Sequence, residues 1–279
     1  MRHRTGDFDG VGGIKIFWQA WLPDGEPRAV VGLAHGASEH SGRYAWTGEQ
    51  LTNRGYALYA LDHRGHGHSE GPRAVIDRMD NAVADLGTLL ELAGRESGAD
   101  AKPFLFGHSM GGCVALAFAT RRQDEIRGLM LSAPVAALEA ASPIQRLAGR
   151  VLSAVAPRLG VYAIDSSTVS RDPEVVRDYD ADPLNYHGKL PVRTVHEMAE
   201  EVARFPEALP RITIPLLVQV GTSDGLVPAA ASELVHDRAS SKDKTIKRYD
   251  GLYHEILNEP ERELVVADTL AWLDAHAPG

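Results

Sequence analysis

The 279-residue sequence predicts an α/β fold, a mostly parallel central sheet flanked by helices with a helical cap inserted into it. Three observations predict this. Short apolar runs at 29–34, 56–61 and 128–132 have the length and composition of strands buried on both faces. Helix-sized segments separate them, which implies parallel pairing through right-handed crossovers. The alternation then lapses after Pro134 and resumes near residue 215, as it does when a separate unit interrupts a sheet.

Taken in order, residues 13–21 are rich in aliphatic and aromatic side chains and end at Pro23-Asp24-Gly25, a strand followed by a turn. Strands follow at 29–34 and 56–61, with a helix over 44–53 between them. A helix over 81–96, a strand at 104–106, a helix over 110–122 and a strand at 128–132 continue the pattern. The stretch 135–205 is too long for an ordinary connection. It holds an apolar-periodic segment over 144–155, turns at Pro157, Pro173, Pro183 and Pro191, and a second helix over 195–205. A strand at 215–221, a helix over 229–237, a strand at 245–249 and a terminal helix over 261–276 complete the pattern. The chain therefore divides into a first core part (1–134), a cap (135–205) and a second core part (206–279), with no internal repeat.

The formal charge is −9, from 38 acidic and 29 basic residues, with no basic block of the kind that binds nucleic acid. One cysteine, Cys113, excludes an internal disulfide and falls where a helix packs. Residues 1–10 carry positive charge but no apolar run behind it, so no export signal is expected. The most apolar stretch, 129–138, is too short to span a bilayer and contains Pro134. These features point to a cytoplasmic protein and leave peripheral contact with a lipid surface open. Nothing in them specifies a homo-oligomer or excludes one.

The chemistry concentrates at Gly107-His108-Ser109-Met110-Gly111, between an extended apolar run and a helical one. A serine on a sharp strand-to-helix turn, with glycines two residues to either side, is placed to act as a nucleophile. It needs a base, and an imidazole oriented by a carboxylate is the usual solution. In a parallel sheet the partners belong just beyond strand ends. Asp224 follows the strand at 215–221 and also fits a turn before Pro228; His254 follows the last strand. Together they complete the chain order serine, acid, histidine. The oxyanion donors expected are the backbone amides of Ala37, after the strand at 29–34, and of Met110. Asp62-His63-Arg64-Gly65-His66-Gly67-His68-Ser69 lies after another strand; it reads as a supporting loop rather than a metal site, since no second coordinating cluster accompanies it. Tyr162 and Ile164 are candidates for an acyl channel. Leu147, Val151, Leu152 and Val155 would form its entrance or stabilise the cap.

With these residues in place the sequence resembles the monoacylglycerol lipase branch of the α/β-hydrolases, lysophospholipase-like serine hydrolases, in its bacterial and especially actinobacterial form. His35-Gly36-Ala37-Ser38-Glu39-His40-Ser41-Gly42-Arg43-Tyr44 is similar to that branch's oxyanion loop, and Gly107-His108-Ser109-Met110-Gly111-Gly112 to its nucleophile elbow. Gly221-Thr222-Ser223-Asp224 and Gly251-Leu252-Tyr253-His254-Glu255 carry the acid and base. The resemblance implies hydrolysis of a monoacylglycerol to fatty acid and glycerol through an acyl-enzyme, with no metal or organic cofactor and with transient membrane contact. A broader carboxylesterase or a lysophospholipase would use the same residues, and a lipid-binding module would not need all three. Ser38 departs from the branch, which carries glycine there, and this bears on the conformation of the loop more than on the reaction class.

Overall fold

The computed structural model describes residues 1–97, 102–138 and 142–277. Strands β1 (Arg2–Asp9) and β2 (Lys15–Leu22) form an antiparallel pair. Then β3 (Ala29–Ala34), α1 (Ala45–Asn53), β4 (Tyr56–Leu61), α2 (Met79–Ser97), β5 (Phe104–His108), α3 (Ser109–Arg122) and β6 (Gly128–Ser132) alternate. The insertion carries α4 (Pro143–Val155), β7 (Gly160–Tyr162), α5 (Pro173–Ala181), β8 (Leu190–Pro191), α6 (Val192–Val202) and α7 (Phe205–Ala208). The core resumes with β9 (Leu216–Gly221), α8 (Ala229–Arg238), β10 (Lys244–Tyr249) and α9 (Arg262–His276).

The eight-stranded sheet has the order β1-β2-β4-β3-β5-β6-β9-β10, with parallel pairing from β4 onward. Strands β3, β4, β5, β6 and β9 are buried along their whole length, because helices cover both faces of the sheet. One face packs against α2, α3 and the base of the cap through residues such as Leu86, Val114, Phe118 and Phe205. The other packs against α1 and α9 through Leu51, Val265 and Trp272.

Four features differ from the sequence reading. β1 escapes it because this edge strand is polar and largely exposed, so no apolar run marks it; its partner β2 supplies the buried side chains. Pro173 does not punctuate a turn but opens α5, where its missing N–H costs nothing and Asp172 caps the Glu174 amide. The second cap helix begins at Val192 and stops at Val202, before the separate short helix at Phe205. The β7–β8 ladder is too short to leave a periodic signal.

Register places the site. Ala34 pairs with Gly107, His108 with Ser132, Ser132 with Gln219, and Gly221 with Tyr249. The carboxyl ends of β3, β5, β6, β9 and β10 therefore lie along one edge, beneath the insertion that leaves β6. A ligand site in a parallel sheet belongs there.

Candidate active site

Ser109 is the first residue of α3 and has φ +53°, a left-handed conformation that a side chain tolerates only when its surroundings enforce it. Close packing enforces it. A Cβ on Gly111 would stand 2.1 Å from the Ala34 carbonyl oxygen, and one on Gly107 would stand 2.6 Å from that of Gly111. Only glycine lets α3 approach the end of β3 this closely.

Two loops bring the partners of Ser109. His254 Nε2 lies 2.8 Å from Ser109 Oγ, and His254 Nδ1 lies 2.7 Å from Asp224 Oδ2. These neighbours assign the tautomer: Nδ1–H donates to the carboxylate and Nε2 accepts from the hydroxyl. The other oxygen of Asp224 closes a turn: Oδ1 accepts the Leu226 and Val227 amides at 2.8 and 2.9 Å. Burial disfavours a charged His254, but Asp224 and, more distantly, Glu255 and Glu39 outweigh it and raise its pKa. Ala37 and Met110 line the cavity around Ser109. The Met110 amide belongs to the first turn of α3, whose N–H groups have no intrahelical acceptor.

The residues behind these loops form a buried charged bracket that the sequence reading did not assign. Arg43 donates to both oxygens of Glu255 at 2.6 and 2.7 Å and to Glu39 Oε2 at 3.0 Å. Glu39 Oε1 accepts the Gly36 amide at 2.6 Å and the Tyr44 hydroxyl at 2.8 Å. The bracket therefore ties the loop after β3 to the loop after β10. Burial pushes both carboxyls up; beside Arg43, Glu255 is held down at about 2, while Glu39, facing the charge of Glu255, stays raised. The signal for it was local: Glu39 and Arg43 are four residues apart, and Glu255 adjoins His254.

The Asp62–Ser69 loop is held by hydrogen bonds of its own. Asp62 accepts the Ser41 amide and hydroxyl at 2.8 and 2.6 Å and the His68 amide at 2.8 Å, while Arg64 is buried against Asp85 at 2.7 Å. His35, His63 and His66 pack edge to face in its interior, and burial lowers the pKa of each. Among the described residues no group of three metal-ligating side chains converges. Cys113 is buried in α3, and burial pushes its thiol well up.

The nearby loop keeps a glycine conformation despite its serine. Ser38 has φ +63°, is buried, and its hydroxyl has no partner among the described residues. Its carbonyl accepts the Tyr186 amide at 2.9 Å, joining the loop to the cap. His40 Nε2 makes a second such link to Asp182 at 2.8 Å.

Above Ser109 the cap closes over an open-mouthed cavity with about 800 Å³ of empty space. Val135, Ile164, Leu190, Val195, Met198 and Val227 supply apolar walls, and Glu39, Glu255, Tyr179 and His108 stand at its polar end. Tyr162 and Ile164 line it as the sequence suggested. Leu147, Val151, Leu152 and Val155 do not: they face solvent, because α4 packs on α6 through its opposite side.

The sheet order, the cap and the strained serine turn define a capped α/β-hydrolase of the serine-hydrolase class. Comparison with known proteins narrows this. Residues 25–261 match the Hydrolase_4 family, described as serine aminopeptidase, S33, and the chain belongs to that family. It is 42% identical over 270 residues to a monoacylglycerol lipase of Mycolicibacterium smegmatis, covering 96% of each chain. Monoglyceride lipase of Homo sapiens shares 37% over 250 residues, covering 88% of this chain and 82% of that protein. The crystal structure of Paleococcus ferrophilus monoacylglycerol lipase has a TM-score of 0.82 at 31% identity, covering 99% of this chain and 100% of that one.

Proposed function

We propose that this serine hydrolase cleaves monoacylglycerols to a fatty acid and glycerol, with Ser109 as nucleophile, His254 as general base and acid, and Asp224 as its orienting carboxylate. The carrying observation is the continuous Ser109–His254–Asp224 relay at 2.8 and 2.7 Å on the floor of a mainly apolar cavity. His254 Nε2 takes the Ser109 proton as Oγ attacks the ester carbonyl, and Asp224 stabilises the imidazolium. The oxyanion forms opposite the Ala37 and Met110 amides. The imidazolium returns its proton to the departing glycerol oxygen, and the neutral imidazole then takes a proton from the water that releases the acid.

The cavity supports this substrate class on energetic grounds. Each methylene moved from water onto its walls contributes roughly 0.8 kcal/mol, so the acyl chain supplies the affinity and the polar end orients the glycerol. The relatives named monoacylglycerol lipase support the same reading. An amphiphilic substrate also implies work at a lipid surface. No described helix is long and apolar enough to cross a membrane, so the contact would be peripheral. A chain whose single cysteine is buried and free suits the cytoplasm.

A hydrolysis panel tests the substrate. Monoacylglycerols are expected to be cleaved faster than diacylglycerol, triacylglycerol, lysophospholipid and simple esters; a lysophospholipid cleaved far more efficiently than every monoacylglycerol overturns the assignment. A serine-directed phosphonate should label the wild type and not Ser109→Ala, whose turnover should fall by roughly 10⁴-fold or more.

A further inference from the structure

His35 follows the last residue of β3 and is wholly buried, and the cavity above Ser109 is lined from Gly36 onward rather than by His35 itself. Both of its ring nitrogens are nevertheless committed. Nδ1 lies 2.7 Å from the Gly36 carbonyl oxygen, and Nε2 lies 2.9 Å from the His63 amide nitrogen. A carbonyl only accepts and an amide N–H only donates, so these partners fix one neutral tautomer, with the hydrogen on Nδ1 and none on Nε2. The rings of His63 and His66, edge-on at centroid distances of 4.6 and 5.5 Å, wall in the imidazole. The histidine-rich loop after β4 is therefore the socket of this ring.

The bond to Gly36 reaches the chemistry through a single peptide group. The Gly36 carbonyl and the Ala37 N–H belong to one trans peptide, so they point in opposite directions and fixing one aims the other. That peptide lies against the nucleophile: a Cβ on Gly36 would stand 3.2 Å from Ser109 Cβ. The peptide before it is held separately, since the Gly36 N–H donates to Glu39 Oε1 at 2.6 Å. The Ala37 N–H itself donates to no acceptor among the described residues. A donor left open in this way turns toward other acceptors unless the far end of its peptide is held, and the His35 Nδ1–H holds it.

We propose that His35 is a positioning residue for the reaction: through the Gly36 carbonyl, its Nδ1–H aims the Ala37 N–H at the oxyanion. This rests on the reading of Ala37 as an oxyanion donor above and adds the group that orients it. Were the peptide to turn over, the Gly36 carbonyl oxygen would face the developing negative charge where the N–H had been, so a stabilising dipole would become a repelling one. The bond from His63 to Nε2 has the different task of joining the loop after β3 to the loop after β4.

Two substitutions separate the two ends of the ring. The amide nitrogen of asparagine falls where Nδ1 does, so His35→Asn retains the donor to Gly36 and loses the acceptor for His63. The amide oxygen of glutamine falls where Nε2 does, so His35→Gln does the reverse. With a water-soluble short-chain ester, His35→Gln should lower kcat by roughly 100-fold or more, the loss that follows removal of one oxyanion donor, while KM stays within about threefold. His35→Asn should recover most of that loss, although its melting temperature falls because the buried His63 amide has lost its acceptor. In His35→Gln the inhibition constant of a trifluoromethyl ketone, whose hemiketal with Ser109 carries a negative oxygen, should rise by the factor by which kcat/KM falls. That of a monoalkylglycerol ether, which forms no oxyanion, should not change. Equal kcat losses in the two variants, or a His35→Gln enzyme with wild-type kcat, overturns the proposal. An Nε2–H tautomer of His35 in nitrogen-15 NMR of the wild-type protein does the same, and this measurement stands even where His35→Gln fails to fold. A trifluoromethyl ketone that does not inhibit the wild type overturns the Ser109 reading itself, and the proposal with it.

Discussion

Replacing Ser38 with glycine should stabilise the protein, although it deletes a buried side chain. Ser38 sits at φ +63°, where an L-residue is strained by roughly 1–2 kcal/mol, and its buried hydroxyl has no partner among the described residues, which costs about 1–3 kcal/mol. Glycine removes both terms and gives back roughly 0.5–1 kcal/mol through the greater freedom of its unfolded chain. The net gain is about 1–4.5 kcal/mol, or roughly 2–8 °C in melting temperature for a chain of this size. Ser38→Ala separates the terms, because it removes the hydroxyl but keeps the strain, and should recover only part of the gain. Calorimetric melts of the three proteins measure this directly. The bond from Tyr186 to the Ser38 carbonyl survives both changes, so hydrolysis of a short-chain ester should persist. A Ser38→Gly protein that melts at or below the wild-type temperature refutes the reasoning.

Other consequences follow from the buried charges. Glu255→Gln removes a charge that raises the His254 pKa, so the acid limb of kcat/KM should move to lower pH; an unmoved limb argues against this coupling. Arg43→Met leaves Glu39 and Glu255 buried together without their shared cation and should cost about 3–5 kcal/mol in denaturant melts, with much of that restored by adding Glu255→Gln. Burial pulls the pKa of His63 and His108 down to about 3 and that of His66 to about 4, so from pH ~6.5 downward the unfolded chain gains protons that the folded chain refuses. Each of the three then costs about 1.4 kcal/mol per pH unit, or about 6 kcal/mol together by pH 5, partly offset by His254, whose raised pKa favours the folded state as pH falls. Stability measured between pH 7 and 5 should fall accordingly, and a flat profile would contradict the neutral burial of these rings. Gly111→Ala, whose Cβ meets the Ala34 carbonyl oxygen at 2.1 Å, should disrupt the Ser109 turn and lose both activity and stability.

Strands buried on both faces were legible because continuous apolar runs leave few alternatives: the runs at 29–34, 56–61 and 128–132 coincide with β3, β4 and β6. β1 was not, because a polar edge strand owes its pairing to β2 rather than to its own composition. Cap helix α4 was legible as a helix, but its orientation was not. Periodicity identifies an apolar face without saying what covers it, and here the buried residue of the helix is Ser153, not an apolar one. Ser109, Asp224 and His254 were legible from motif and chain order, whereas the Arg43 bracket joins residues 212 apart and carries no signature beyond its local acid and base spacing.

The sequence by itself determined the alternation of strands and helices, the glycines that permit a left-handed serine, and the residue types available beyond each strand end, because all of these depend on local sterics and on which side chains leave water. Tertiary structure decided the rest: the 2.7 and 2.8 Å contacts of His254, the positive φ that Ser38 shares with glycine, the charges locked between Glu39, Arg43 and Glu255, and the outward face of α4. These depend on distances between segments far apart in the chain, which are set only when the whole sheet and its cap have packed.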